Sequence, residues 1–277
     1  MIDGHVAVRM ELEMLDSVHK HQFENDGYFI VRSLLDNEEV QLLSTVSRQE
    51  KKFRDGEISR ADGEGGSVDL VVKNELPTDT IHGAIVRSQR IVKRVEQLLD
   101  DEVYHYHHKM ILKQPRTGGA WAWHQDYGYW YHNGCLFPRM ASCMIAVDRA
   151  TQENGCLQVL AGSHLMGRVE HTTVGEQTGA DPERVAVAEN TLRREYVELN
   201  EGDAVFFHCN LLHRSDQNHS DNPRWAFICC YNAKSNDPYK ESHHPNYSPL
   251  DVWPDSCISE VGTNHFQRLQ EQPDIAT

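Results

Sequence analysis

Two short stretches of this chain carry residues that could do chemistry together. In the first, Trp123-His124-Gln125-Asp126, an imidazole and a carboxylate stand two residues apart. On an extended segment alternate side chains point the same way, so His124 and Asp126 would converge on one point. The second is Phe206-Phe207-His208-Cys209-Asn210-Leu211-Leu212-His213-Arg214-Ser215, after a Glu201-Gly202-Asp203 turn. There His213 could supply a third ligand. Two imidazoles and one carboxylate on one side of a metal leave coordination positions open, the arrangement of non-haem Fe(II) oxygenases. Arg224 follows His213 by eleven residues and would lie on the neighbouring antiparallel strand. A guanidinium placed there can grip a carboxylate through two parallel hydrogen bonds. A metal triad beside a carboxylate clamp is what a 2-oxoglutarate oxygenase needs. The cosubstrate would chelate iron through its 2-oxo acid end while Arg224 holds the far carboxylate.

These residues need a scaffold, and the pattern around them suggests one. Leu12, Leu15, Val18, His19, Gln22 and Phe23 recur at helical spacing until Gly27, before an apolar strand in YFIVRSLL. Asp36 and Glu39 read as the N-cap and capping-box partner of a second helix buried through Val40, Leu43 and Val46. Residues 55–66, rich in Gly and acids, read as a loop. A third helix is predicted from Asp79 to Leu99 by apolar steps of three and four. After Asp100 the texture changes to short β-prone runs separated by turns, with no helix-period segment between them, which favours an antiparallel sandwich or barrel over a parallel sheet. The insert 167–190 and the tail after 232 read as loops. The expected whole is one domain over 1–277: a mostly helical support in 1–100, a jelly-roll core in 101–232, and a C-terminal loop or tail in 233–277. The fold class is mainly β with flanking helices.

Composition narrows the partners. The chain has 277 residues, 42 acidic against 27 basic, and a net charge of −15. That balance argues against nucleic acid and against an anionic membrane surface. No apolar run reaches a membrane span, and neither end reads as a targeting or lipidation signal. The seven cysteines form no C-x-x-C pair, and read as small buried thiols in a reducing, cytoplasmic setting. Among 17 histidines, His164 and His208 read as locally bonded structural residues. Strand period two puts Val103, His105, His107, Lys109, Ile111 and Lys113 on one face.

The stretch 103–232 resembles the phytanoyl-CoA dioxygenase family of Fe(II)/2-oxoglutarate-dependent oxygenases, which includes ectoine hydroxylase. The matching pieces are W-H-Q-D at 123–126, N-G-C-L-Q-V-L-A-G-S-H at 154–164, H-R-S at 213–215 and Arg224. The resemblance implies a double-stranded β-helix with iron on His124, Asp126 and His213. It implies that Arg224 and Ser215 bind the distal carboxylate of 2-oxoglutarate, with Lys113 a further cosubstrate contact. His107, Lys109, Gln125 and Trp130 are the candidate substrate contacts; Gln125 stands where ectoine hydroxylase has Ser, and Trp130 matches an aromatic beside its iron. The implied activity is hydroxylation of an aliphatic carbon of a small molecule. It would use Fe(II), 2-oxoglutarate and O2, with ascorbate as reductant in vitro, and release succinate and CO2. Halogenation is disfavoured because a halide needs the position that Asp126 would occupy. The alternatives are a catalytically silent jelly roll that binds a ligand, and a cupin-like metalloenzyme without a 2-oxo acid. Neither needs Arg224 opposite the triad. A monomer or a homodimer fits equally.

Overall fold

The structure, a computed structural model, describes residues 15–63, 65–174 and 177–271. Leu12 lies outside the described residues. The first helix, α1 (Ser17–Asp26), starts where the Asp16 carboxylate accepts from the His19 N–H and stops at Gly27. Strand β1 (Tyr28–Val31) follows. Helix α2 (Asn37–Gln49) carries the predicted capping box: Glu39 N–H donates to Asp36, and the Asp36 N–H donates back to Glu39. Its buried face holds Val40, Leu43 and Val46, as the spacing predicts. A one-turn helix, α3 (Lys51–Arg54), ends this segment.

The described residues of the segment expected to be loop, 55–63 and 65–66, are not all loop. They hold β2 (Ile58–Ala61), hairpin-paired with β3 (Ser67–Lys73). All four residues of β2 are exposed, which erases the alternation that would betray a strand. The expected helix 79–99 is two, α4 (Ile81–Arg87) and α5 (Gln89–Leu99). Ser88 is extended between them because the backbone of Trp253 donates to Arg87 and accepts from Gln89. A contact from the far end of the chain thus breaks a helix whose own sequence is continuous.

The strands that follow are β4 (Val103–Lys113), β5 (Trp121–His124), β6 (Met140–Ala146) and β7 (Leu157–Leu160), with a short helix α6 (Asp126–Trp130) after β5. The insert expected to be loop holds a hairpin, β8 (His171–Val174) with β9 (Gln177–Ala180), and helix α7 (Pro182–Thr191). Proline at the first helical turn and an Asp181 cap start α7. Then come β10 (Arg194–Val197), β11 (Ala204–His208), β12 (His213–Ser215) and β13 (Arg224–Ala233). The tail is not all loop either, because α8 (Cys257–Glu271) packs on α2 and α4.

Seven strands form one antiparallel sheet in the order β1-β11-β6-β13-β4-β3-β2, and four form a second in the order β10-β7-β12-β5. The N-terminal hundred residues therefore supply three strands of the larger sheet as well as helices. One face of that sheet packs on the helices through Phe206, Phe227, Met110 and Leu112. Its other face packs toward the smaller sheet through Tyr106, Met144, Phe207 and Ile228. This is the predicted class, mainly β with flanking helices around a jelly-roll core.

One irregularity changes which residues reach the space between the sheets. On β13 Cys230 pairs with His107, but the next residue, Tyr231, pairs with His105, leaving Tyr106 as an extra residue in β4. Such a bulge resets the alternation of faces. His107 keeps the face of Lys109, Ile111 and Lys113. His105 does not share it, as strict period two would require. It lies on the helix side, with its Nε2 3.1 Å from His108 Nδ1.

Candidate active site

Ladder pairing sets the two histidines against each other. His124 closes β5, His213 opens β12, and the two are register partners with ring centroids 4.0 Å apart. Gln125 is still extended, and Asp126 is the first residue of α6. That sharp strand-to-helix change turns the carboxylate back toward the two rings. One donor atom from each of His124, Asp126 and His213 lies within 4.8 Å of the others, and all three residues are buried.

The protonation state suits a metal. His124 Nδ1 donates to the Ala122 carbonyl at 2.8 Å, and His213 Nδ1 donates to the Leu211 carbonyl at 2.9 Å. A ring whose Nδ1 proton is held by a carbonyl keeps an unprotonated Nε2, the form that ligates. Burial lowers the pKa of both rings, so they stay neutral. The Asp126 carboxylate accepts from Ser142 Oγ at 3.3 Å and lies 3.6 Å from Lys109 Nζ. Burial opposes the Lys109 charge, yet Asp126 outweighs it and the ammonium pKa is raised. Two neutral imidazoles and one carboxylate in a buried pocket fit a divalent iron.

A second group of cations sits across a cavity of about 80 Å³ lined by His124, His213, Lys109, Ser215 and Arg224. Arg224 and Lys113 are register partners on β13 and β4. Lys113 Nζ donates to Ser215 Oγ at 2.9 Å and to the Asp216 carbonyl. Arg224 Nη2 donates to the Gly155 carbonyl at 2.8 Å, while its Nε is buried without a partner. The Asp216 carboxylate is turned to Arg214 and Gln158 instead. Among the described residues no carboxylate pairs with either cation. Burial pushes Arg224 down to about 10 and lowers Lys113, to which Arg224 adds repulsion. Two buried basic groups, one with an orphaned donor, form a site for an anion, whose charge would favour their protonated forms. Gly155 makes the close approach possible. It has a φ of +74°, and a Cβ there would lie 2.2 Å from the Asp216 carbonyl oxygen.

The other candidates are placed differently. Lys109 lines the cavity. Gln125 does not point into it. Its Nε2 donates to the carbonyls of Gly167 and Asn210 at 2.8 and 2.7 Å, and its Oε1 accepts from the Val169 N–H at 2.7 Å. Its amide is thus used up in tying the H-x-D turn to two loops, one of them leading to His213. Trp130 is on the buried side of α6, packed edge-on against Tyr106 and His107 at 5.4 and 5.6 Å. The Trp and Tyr rings beside His124 are those of Trp121 and Tyr129, at 5.8 and 5.9 Å, and Trp121 also lines the cavity. His107 stacks on His244 at 4.6 Å and leaves its Nδ1 buried without a partner. His208 accepts from the Asn210 N–H, a local role, whereas His164 is structural but not local: it bonds the Glu24 carbonyl of α1, 140 residues away.

Sequence reasoning passed over His171. Its Nδ1 donates to the Val169 carbonyl, and its Nε2 accepts from the Gln125 N–H at 3.0 Å, between the two ligand positions 124 and 126. A Cβ on Gly128 would come within 2.0 Å of this ring, so only glycine lets α6 sit against it. His171 lies in a segment whose strand could not be read locally, and nothing in its own neighbourhood marks it.

Residues 23–226 match the family described as phytanoyl-CoA dioxygenase (PhyH). An L-proline trans-4-hydroxylase from Streptomyces griseoviridis is 30% identical over 261 residues, covering 86% of this chain and 92% of that protein. An ectoine dioxygenase from Bordetella bronchiseptica is 26% identical over 250 residues, covering 81% of this chain and 77% of its own. Among solved structures, EctD from S. alaskensis with 2-oxoglutarate and 5-hydroxyectoine superposes with a TM-score of 0.73 at 21% identity, over 87% of this chain and 88% of that one. The carbocyclase SnoK from nogalamycin biosynthesis superposes at 0.66 with 21% identity, over 86% and 93%. At such identity these two establish the shared fold. The family match spans most of the chain, so this chain belongs to the phytanoyl-CoA dioxygenase family.

Proposed function

We propose that this protein is an Fe(II)- and 2-oxoglutarate-dependent dioxygenase that hydroxylates an aliphatic carbon of a small molecule, releasing succinate and CO2. One observation carries the reading: Arg224, in register with the buried Lys113 and with no carboxylate partner among the described residues, lines the same small cavity as His124 and His213 of the His124–Asp126–His213 cluster. Either alternative, a silent ligand binder or a cupin-like enzyme without a 2-oxo acid, leaves that pair without a purpose.

In this reading His124, Asp126 and His213 hold the iron. Iron and 2-oxoglutarate, when bound, supply the oxidising chemistry toward O2 and the C–H bond. The chain supplies position and shielding. The carbonyls of Ala122 and Leu211 fix the tautomer of each imidazole. Arg224, with Ser215 and Lys113, receives the far carboxylate and so sets the depth to which the cosubstrate enters. Lys109 stands where a polar or anionic part of the substrate would meet the site, with His107 behind it on the same strand face. Val68, Leu70 and Ile111 wall the cavity from water. The relatives named for L-proline and ectoine suggest a compact, charged substrate. A cytoplasmic setting suits the seven unpaired cysteines, and no helix among the described residues is long and apolar enough to cross a membrane.

The test is succinate formation from 2-oxoglutarate with Fe(II), ascorbate and air, first without a prime substrate and then with a metabolite panel that includes L-proline and ectoine. Succinate should appear slowly alone and faster with the right substrate. Fe(II)-loaded protein that makes no succinate above a blank under all these conditions would refute the proposal.

A further inference from the structure

Behind the larger sheet, on the face away from the site above, lies a second and much bigger cavity. It has about 800 Å³ and is lined by Glu50, His82, His108, His265, Lys73 and Arg268 among others. Strand β4 divides the two spaces: Lys109 faces one and His108 the other. At one wall three segments far apart in sequence meet. Glu50 joins α2 to α3, His82 lies in α4, and His265 lies in α8. One donor atom from each falls within 4.8 Å of the other two.

We propose that Glu50, His82 and His265 form a second divalent-metal site, of the kind that takes zinc or cobalt, with an open position toward this cavity. Two histidines and a glutamate are a donor set that zinc accepts with one place left for water or a ligand. The donors are arranged rather than loose. His82 and His265 have only 2% and 3% of their surface exposed. The His82 ring stacks on Phe53 at 3.9 Å and is hydrogen-bonded to Ser47 Oγ at 2.9 Å. Glu50 Oε1 is 3.1 Å from His265 Nε2. Burial keeps His82 neutral, as a ligand must be.

The arrangement also says what binding must change. Ile81 N–H donates to His265 Nδ1 at 3.3 Å, so the ring proton is on Nε2 and points at Glu50. A cation between them takes the place of that proton, which shifts to Nδ1 at the expense of the long bond from Ile81. Occupation would then lock α8 onto α2 and α4 through ligands while freeing the first amide of α4. The proposal is independent of the oxygenase reading.

The experiment uses the full chain carrying His124→Ala and Asp126→Ala, which disables the first cluster. Cobalt(II) titration should show about one equivalent bound with visible d–d absorption, and zinc should raise the melting temperature. Adding Glu50→Gln keeps an acceptor for the His265 proton, so the metal-free melt should not move. Cobalt affinity should nonetheless fall at least tenfold and the zinc-induced stabilisation should vanish. His82→Asn should weaken cobalt binding likewise. No bound cobalt in the parent, or unchanged affinity after Glu50→Gln and His82→Asn, would overturn the site.

Discussion

Replacing Gln125 with Ala separates two roles that a residue between two metal ligands could have. The side chain makes three buried hydrogen bonds, to Gly167, Asn210 and Val169. At about 0.5–1.5 kcal/mol net for each, they sum to about 1.5–4.5 kcal/mol. Loss of one buried methylene adds about 0.8 kcal/mol. The two carbonyls and one N–H left behind have no evident replacement, which places the expected loss toward the upper end, about 4 kcal/mol. Urea unfolding should show this as a lower midpoint at unchanged slope. Because the same amide ties the turn bearing His124 and Asp126 to the segment leading to His213, cobalt or iron affinity at that cluster should fall as well. A substrate contact would behave otherwise, with native stability and a raised KM for the prime substrate alone. Stability within about 0.5 kcal/mol of the parent, a typical surface effect, together with unchanged metal affinity, would refute the clamp.

Arg224→Lys keeps charge but loses the planar fork; losing one charged hydrogen bond of about 1.5–3 kcal/mol should raise the KM for 2-oxoglutarate roughly 10- to 150-fold, and an unchanged KM in the succinate assay would move the clamp elsewhere. Trp130→Ala should act on folding, at about 3–5 kcal/mol for a buried aromatic, read as a lower melting temperature; a stable variant that consumes 2-oxoglutarate without product would put the ring at the substrate instead. Acid should destabilise the fold through its buried neutral histidines. Burial lowers His105 to about 3 and His208 to about 4, so near pH 5 the unfolded chain binds protons that the folded one does not. Their contribution is complete above about pH 6.5 and is lost as pH falls from there toward 4, at about 1.4 kcal/mol per pH unit for each histidine. Urea midpoints that stay flat between pH 7.5 and 5 would contradict it.

Local chemistry was readable from the chain, and distant contacts were not. The Asp36–Glu39 box was visible because both partners lie within one turn. The H-x-D pattern and His213 were visible as motifs of residue type and short-range strand spacing. Spacing alone sets Arg224 on the strand beside that of His213, but β12 and β13 belong to different sheets, so Arg224 faces the cavity from the opposite sheet. Ser88 breaks a helix for the sake of Trp253, 165 residues away, and no window around it carries that information. The β2–β3 hairpin hid behind an exposed edge strand. Helix α8 did have a signal: Ile258, Gly262, His265, Phe266 and Leu269 recur at three- and four-residue steps. A glycine and a histidine thinned its apolar stripe until it read as tail. Its distance of six residues from His124 suggests that Trp130 stands near the metal, but α6 begins at Asp126 and turns position 130 into the core.

The extra residue at Tyr106 gives β4 two independent halves. From His107 to Lys113 the parity of faces is tied to the cation that answers Arg224; from Val103 to His105 it is not. A one-residue change of length at the bulge would invert only the short half. Tyr104 and His105 would then exchange faces while Lys109 and Lys113 stayed where they are. A regular eleven-residue strand would offer no such freedom, since any slip would carry every side chain to the wrong face at once. The bulge is thus a joint at which one end of the strand can vary across relatives while the other keeps its register.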